Sequence, residues 1–512
     1  MTSEFPPVGQ LLHDAARAHP DRIAVRCPVA DGFVDVTYAE LERRAAVGAA
    51  LLSQRRGPVA VLSPNSIGWI ESLFAIALSG RPLVPINPAL GDREIRQLLL
   101  DCEAVLLLTG GEYRGRDLRA VGERMRATVE TLREVHDVDR WIPVRGVGGA
   151  LPDVDSESPF LVQYTSGTTG RPKGAVLSHR ACVASATTMT AALEPSDHEV
   201  WASPMPLHHV GASVAHAVAM ASVAGTYVML TAFDPTVLVR AAAESGATLI
   251  AGVPTVYLGI LENPALRVIP VPALRVLMLG GASIAPSLVA RIEKHFGARV
   301  AVLYGQSESP AVCQTSLADD SVIKAETIGR ALPLRRVRVV KPGSDREIAV
   351  GEIGELCVSG PTVMDGYLGR PDATAEVLSA DGWLRTGDLC SIDALGLIRF
   401  HGRLRDVILR GGENVYAREV EDAINALPGV SQVAVVGVPD DRWGEVVGAV
   451  VEPQPGVALD VDDLAAGLEA SLARFKRPAR WAVVETMPMT ASGKIQKFRL
   501  VDEVKWLSRP TR

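Results

Sequence analysis

What the chain has least of is surplus positive charge. Its 52 Lys and Arg against 59 Asp and Glu leave a formal net charge of −7, which argues against a general nucleic-acid-binding surface. Cysteine is scarce too. The six residues, at 27, 102, 182, 313, 357 and 390, have no metal-ligand spacing and fit a reduced cytosolic protein. The stretch Met1-Thr-Ser-Glu-Phe-Pro-Pro7 lacks the basic and apolar regions of a secretory signal, so a cytoplasmic location is expected. Only Gly211 to Leu230 approaches the uncharged length that spans a bilayer. It is rich in Ala and Gly, contains His216 and breaks at Ala224-Gly-Thr226, so a buried helix followed by a buried strand is expected there, and no membrane span. No internal repeat is visible, and Walker and protein-kinase signatures are missing.

What is present is a globular composition, 47% hydrophobic and 22% charged, in 512 residues, enough for two or three domains. Helix-like and strand-like segments alternate from the start. Tyr38, Leu41, Ala45, Gly48 and Leu52 recur at helical spacing, and Val59-Ala-Val-Leu62 follows as a short apolar strand. Pro82 to Ile86 and Ala104 to Leu108 repeat the pattern after their own helices. Runs apolar on both faces belong to parallel sheets covered by helices, which places the chain in the α/β class with a large N-terminal domain of two mostly parallel sheets. Beyond Ile328 the texture changes to short strands and turns, and a small β-barrel-like subdomain is expected over about 328–402. The last hundred or so residues alternate in the manner of a small α+β domain.

One stretch concentrates unusual chemistry. Tyr164-Thr-Ser-Gly-Thr-Thr-Gly-Arg-Pro-Lys-Gly174 packs four Ser and Thr hydroxyls, three glycines and a lysine into eleven residues, directly after the apolar Phe160-Leu161-Val162. Glycines let the main chain approach an anion and successive amides form a concave nest, so the segment is expected to hold phosphates. Lys173 is followed by Gly174 and not by Ser or Thr, so this is not a Walker A loop. Loops at the carboxyl ends of parallel strands are where open α/β sheets bind ligands. Those at 164–174, 207–211, 280–283 and 304–308 therefore converge by topology.

Together with Tyr304-Gly-Gln-Ser-Glu308, Thr386-Gly-Asp388, Gly402-Arg403, Gly411-Gly-Glu-Asn414 and Ser492-Gly-Lys494, this stretch resembles the adenylate-forming superfamily. That superfamily contains the acyl-CoA synthetases, firefly luciferase and the adenylation domains of peptide synthetases; the acyl- and aryl-CoA ligases are the branch this chain resembles. The resemblance covers nearly the whole chain. It implies ATP-dependent activation of a carboxylic acid to an acyl-adenylate with loss of pyrophosphate, then displacement of AMP by a nucleophile. Thr165, Ser166, Gly167, Thr168, Thr169 and Gly170 would wrap the β- and γ-phosphates, with Lys173 steadying the loop or the leaving pyrophosphate. Glu308 would coordinate Mg²⁺, Tyr304 would stack on adenine beside Gly281 and Ala282, and Gly305, Gln306 and Ser307 would complete the nucleotide wall. Ser307 stands where the family usually has Thr. Asp388 would accept the ribose hydroxyls, with Arg403 on the ribose or phosphate side. Lys494, on a mobile C-terminal lid over 407–512, would bridge substrate carboxylate and α-phosphate, cancelling charge as it builds. The adenylation domain would then be 1–402, with a hinge at 403–406 centred on Arg405. His209 falls at the family's gate position and is preceded by His208, where an aromatic is usual.

The resemblance also implies the second half-reaction. Gly411 and Gly412 would line a tunnel for a phosphopantetheine arm, and Trp443, Phe475 and Arg477 match positions that hold the CoA nucleotide in aryl-CoA ligases. Ala89 and Ala479 replace basic residues frequent there, with Arg93 and Arg480 close enough to compensate. Coenzyme A is thus the expected acceptor; a carrier-protein pantetheine, or a non-thiol nucleophile of the amine or nitrite type, is the alternative, and a non-catalytic adenylate-binding protein a further one. The acid pocket should be walled by 184–188, His208, Gly211, Ala212, 280–284, Ala311 and Val312. These are small or apolar and show no evident Arg or Lys for a second carboxylate, which favours an apolar aromatic or medium-chain monocarboxylic acid. The expected partners are that acid and CoA or a carrier protein, with a homodimer as the assembly left open.

Overall fold

The computed structural model describes residues 5–53, 55–143, 151–165, 172–280, 286–469, 471–489 and 495–508. The chain divides into two compact units, Met1–Val337 with Val358–Leu384, and Arg338–Cys357 with Arg385–Arg512.

In the first unit, the strands read from continuous apolar runs are buried along their whole length. Val59–Leu62 runs parallel to Leu83–Ile86 on one side and Leu106–Thr109 on the other, with every residue of the three buried. Leu83–Ile86 continues the sheet to Pro159–Thr165, which turns antiparallel into Lys173–Ser178 and then Gly366–Tyr367; with Glu134–Asp137 beside Leu106–Thr109 the sheet has seven strands. A second sheet of nine strands has a parallel centre of Arg299–Gln306, Val276–Gly280, Leu249–Gly252, Val200–Ser203, Thr226–Met229 and Ile23–Val29. Antiparallel Ser309–Gln314 and Gly32–Thr37 flank that centre. Helices alternate with the strands. Ile67–Leu78 is capped by the Ser66 hydroxyl on Trp69 N and is buried almost all round, as its apolar sequence dictates. Asp92–Asp101 buries only the Ile95, Leu98, Leu99 face.

The uncharged Gly211 to Leu230 segment is buried helix and then strand. Its helix contains a π-helical turn, Ser213–Val218, between Val210–Ala212 and Ala219–Ser222, before strand Thr226–Met229. No described helix is long and apolar enough to cross a membrane.

The β-rich segment expected over 328–402 is an open sheet of four strands, Arg336–Val340, Gly354–Ser359, Leu384–Ile392 and Ile398–Arg403 in that order, without barrel closure. A single helical turn, Leu404–Asp406, leads on within the second unit to the C-terminal sheet. That sheet orders Glu413–Tyr416, Val407–Arg410, Gly444–Pro453, Arg480–Val483 and Leu507–Ser508, with Val430–Asp440 also paired to Gly444–Pro453. Helix Ala417–Asn425 closes its core through Ala417, Val420 and Ile424.

Candidate functional site

The hydroxyl-rich stretch interrupts an antiparallel pair. Strand Pro159–Thr165 runs against Lys173–Ser178 with Thr165 opposite Lys173 and Tyr164 opposite Gly174, and Thr165 Oγ1 donates to Lys173 O at 3.4 Å. Ser166, Gly167, Thr168, Thr169 and Gly170 lie outside the described residues, as do Gly281, Ala282 and Lys494. Ser178 ends the second strand and caps helix His179–Ala191 by accepting from Ala181 N, so strand, polar segment, strand and helix form one continuous unit.

Beside Lys173 stands a residue that the sequence did not single out. Strand Gly366–Tyr367 pairs with Lys173–Ser178, Tyr367 opposite Ala175. The Tyr367 hydroxyl donates to Glu308 Oε1 at 2.8 Å, and the Lys173 ammonium lies 5.2 Å from the Tyr367 ring centroid. Burial, then the Glu308 charge, pushes the Tyr367 phenol well above its ordinary pKa, so it stays a donor. Met364 N donates to the Glu308 carbonyl at 2.9 Å and fixes the backbone there as well. Lys173 also comes within 4.0 Å of the exposed Glu376. Lys173, Tyr367 and Glu308 therefore form one connected group, with the cation near the ring and the anion at the hydroxyl of a single tyrosine.

Glu308 sits in the turn between strands Arg299–Gln306 and Ser309–Gln314, whose register shifts between Tyr304 and Gln306. Gly305 is required here, because a Cβ would lie 2.5 Å from Ala311 N; Ala311 itself holds φ at +52°. That bulge puts Tyr304, Gln306 and Ser307 at a partly exposed strand end, while Ala311 and Val312 are buried behind it. The helix after the hydroxyl-rich stretch packs on the same strand, with Ser185 Oγ donating to Pro310 O at 3.0 Å.

His208 and His209 occupy the bend between strand Val200–Ser203 and the helical segment that carries Gly211 and Ala212. Gln163 Nε2 donates to the His208 carbonyl at 3.2 Å, tying this bend to the strand that leads into the hydroxyl-rich stretch. Burial, with a smaller effect from neighbouring His209, pushes His208 down to about 3, so its ring is neutral at physiological pH.

In the second unit, Asp388 and Arg403 are directly opposite on paired strands, with Arg403 Nε 3.5 Å from Asp388 Oδ1. Asp388 is buried and its N–H donates to Thr386 Oγ1 at 3.1 Å, while Arg403 is half exposed. Arg405 lies in the one-turn helix with its Nε 3.6 Å from Asp406. Asp406 in turn approaches Lys497, which also pairs with Glu421 at 2.6 Å.

The residues expected to hold CoA gather around Arg410, another side chain the sequence did not single out. Gly411 and Gly412 are the two central residues of a tight hairpin, at φ +60° and +89°, with Arg410 opposite Glu413. Two consecutive positive φ values explain the Gly-Gly pair. Gly411 N donates to Trp443 O at 2.8 Å. The buried Arg410 guanidinium donates to Phe475 O at 2.7 Å and lies 6.0 Å from the Trp443 ring centroid. Arg477 ties the same segment down through Leu472 O at 3.0 Å and Glu469 O at 2.7 Å. Arg410 directly precedes the Gly-Gly pair, and that adjacency was the available signal; Tyr367 had none nearby.

A sequence profile described as AMP-binding enzyme matches residues 12–368, and one described as AMP-binding enzyme C-terminal domain matches 419–494. Feruloyl-CoA synthase of an Amycolatopsis species is 38% identical over 491 residues, covering 94% of this chain and 96% of its own. Indoleacetate–CoA ligase of Aromatoleum aromaticum is 33% identical over 514 residues, covering 96% of each chain. Among solved structures, ATP-bound MatB from Rhodopseudomonas palustris matches with a TM-score of 0.88 at 28% identity, over 96% of this chain and 98% of that one.

Proposed function

The chain belongs to the AMP-binding enzymes, and from that premise we propose that it is an AMP-forming acid–thiol ligase, joining a carboxylic acid to coenzyme A at the expense of ATP. In the first step a carboxylate oxygen bonds to the α-phosphorus and the bond to the bridging β-phosphate oxygen breaks, giving acyl-adenylate and pyrophosphate. In the second the CoA sulfur attacks the acyl carbon, its proton is lost, and AMP leaves. The observation that carries this reading is the Lys173–Tyr367–Glu308 group beside the hydroxyl-rich segment, an oriented cation and anion where a nucleotide's phosphates would lie.

Both substrates of the first step are anions, so positioning and charge cancellation dominate over covalent chemistry. Residues 165–170 and Lys173 hold the β- and γ-phosphates, and Lys494 offsets charge at the α-phosphate when the C-terminal part closes. Tyr304, Gly281 and Ala282 take the adenine, with Gly305, Gln306 and Ser307 alongside; Asp388 accepts from the ribose hydroxyls, with the Arg403 guanidinium 3.5 Å from that carboxylate. His209 gates the acid, and the neutral His208 beside it adds no charge that would compete for the carboxylate. Gly411, Gly412, Trp443, Phe475 and Arg477, organised by Arg410, receive the thiol substrate.

Glu308 suits magnesium. No described cluster of three or more His, Cys, Asp or Glu could hold a metal unaided, and Mg²⁺ bound by one carboxylate, substrate phosphates and waters needs none. Bound there, it would neutralise phosphate charge. Relatives named for feruloyl-CoA and for indoleacetate–CoA support CoA as acceptor and an aromatic acid as substrate, with medium-chain acids in the same apolar class.

Pyrophosphate and phosphate release across a panel of carboxylic acids, with and without CoA, tests the proposal. Acid-dependent pyrophosphate and CoA-dependent turnover are expected. Phosphate in place of pyrophosphate would remove the adenylation step; pyrophosphate without CoA-dependent turnover would move the acceptor to a carrier protein or a non-thiol nucleophile.

A further inference from the structure

Behind the candidate acid site lies a buried cation that the nucleotide chemistry does not use. Arg335 is 6% exposed, and its Nη1 donates to Thr188 Oγ1 at 2.7 Å and to Pro333 O at 2.8 Å. Its Nε and Nη2 are buried without a hydrogen-bond partner, and it forms no ion pair with a described carboxylate. Burying a guanidinium with donors unmet is costly, and such a group persists where something else satisfies it. The backbone is bent to put it there. Leu334 holds φ at +69° and is 48% exposed, so the apolar residue faces out and the charged one faces in. That inversion has no packing rationale.

The position is specific. Thr188 lies one helical turn beyond Ser185, which bonds Pro310 O, and the neighbour of Arg335 on that strand is the buried Cys313. Leu332 N, just before Arg335, donates to Val312 O at 3.0 Å, so the guanidinium adjoins the strand carrying Ala311 and Val312. From Pro310 to Cys313 is three residues, at most about 10 Å of strand leading away from Glu308. Arg335 therefore stands at the end of the acid site remote from the phosphates. Burial brings it down to about 10, still a cation at neutral pH.

We propose that Arg335, steadied by Thr188, is a specificity-determining residue that binds a carbonyl or phenolic oxygen carried by the acid at the end away from its reacting carboxylate. The proposal rests on the acid-activating reading above and narrows it. The substrate is an acid with an apolar body and a single hydrogen-bond acceptor at its far end, which meets the unsatisfied Nε and Nη2 donors.

The test uses matched acids in the full-length enzyme: phenylpropanoate against its para-hydroxy analogue, and cyclohexylpropanoate against its para-oxo analogue. Acid-dependent pyrophosphate release should favour the oxygenated member of each pair by about 10- to 100-fold in kcat/KM, the worth of a hydrogen bond to a charged donor. Arg335→Met should bring that ratio close to one while retaining turnover of the unsubstituted acid. Thr188→Val, which loosens the guanidinium without removing a charge, should lower the ratio in the same direction and decides the matter if the arginine variant does not fold. Turnover without preference in the wild type, or a preference that survives both variants, overturns the role of Arg335 and leaves acid activation standing. Absence of pyrophosphate release with every acid overturns both.

Discussion

The Tyr367 hydroxyl orients Glu308 while its ring lies against Lys173, so one side chain touches both an anion and a cation of the candidate phosphate site. Tyr367→Phe keeps the ring, and with it the contact to the ammonium, but frees the carboxylate to turn. Acid-dependent ATP–pyrophosphate exchange is expected to fall about 10-fold in kcat/KM, the scale of one lost charge-assisted hydrogen bond, with little change in melting temperature. A variant that melts lower yet exchanges normally would make the tyrosine a packing residue only. At this scale the sequence reveals groups whose chemistry stands out where they are. Lys173 stood out within its hydroxyl- and glycine-rich run, and Glu308 was singled out only through the resemblance that its motif carries. Tyr367 was not, since its partner is 59 residues away and a tyrosine after a glycine carries no local signal. Arg335 was missed for a related reason: arginine is read as a surface residue, and only the turn at Leu334 sends it inward.

Among the elements, the hairpin Val407–Arg410 to Glu413–Tyr416 isolates the second half-reaction. A Cβ on Gly411 would lie 2.6 Å from Trp443 Cε3, at a φ of +60° that already disfavours a side chain. Gly411→Ala should therefore displace the Trp443 ring and the Arg410 contact behind it. The KM for CoA is expected to rise about 10-fold or more, an effect worth some 1.4 kcal/mol, while acid-dependent pyrophosphate exchange stays at the wild-type level. An unchanged KM for CoA would detach this turn from thiol binding. The turn itself was legible, because two adjacent glycines between strand-like runs specify a two-residue hairpin. So were the strands Val59–Leu62 and Leu106–Thr109, whose unbroken apolar sequences require cover on both faces. Strand order was not. Leu83–Ile86 lies beside Pro159–Thr165, although helix Asp92–Asp101 and strand Leu106–Thr109 come between them in sequence, and nothing local encodes that pairing. The π-helical turn at Ser213–Val218 was likewise hidden, since a helix buried all round has no exposed face from which to read its period.

Over the whole molecule, the change from alternating helices and strands to short strands and turns after Ile328 marked the passage toward the second unit. The interleaving of Val358–Leu384 with the first unit depends on contacts that no composition shift reports. Buried titratable groups give the molecule a further property, an acid-sensitive fold. His179 accepts from Val8 N at 3.2 Å through Nδ1, and His216 donates from Nδ1 to Gly211 O with its Nε2 buried and unpartnered. Protonation would break the first bond and would bury a donor without an acceptor in the second. Burial accordingly pushes both down to about 4, and His208 to about 3, whereas Glu71, buried in helix Ile67–Leu78, is pushed up to about 7. An unfolded histidine titrates near 6.5. Below that the unfolded chain takes up three protons that the folded histidines refuse, so the stability they contribute is full above about pH 6.5 and is lost as the pH falls toward 4. Glu71 acts in the opposite sense over the same range, because its folded form holds a proton that the unfolded carboxyl gives up. The histidines outnumber it, and stability should drop by about 2 to 3 kcal/mol per pH unit between about pH 6 and 5, before most carboxylates titrate. Urea midpoints across that window measure the slope. His179→Gln with His216→Gln should flatten it and Glu71→Gln should steepen it; a slope unchanged in the double histidine variant would place the acid sensitivity elsewhere in the fold.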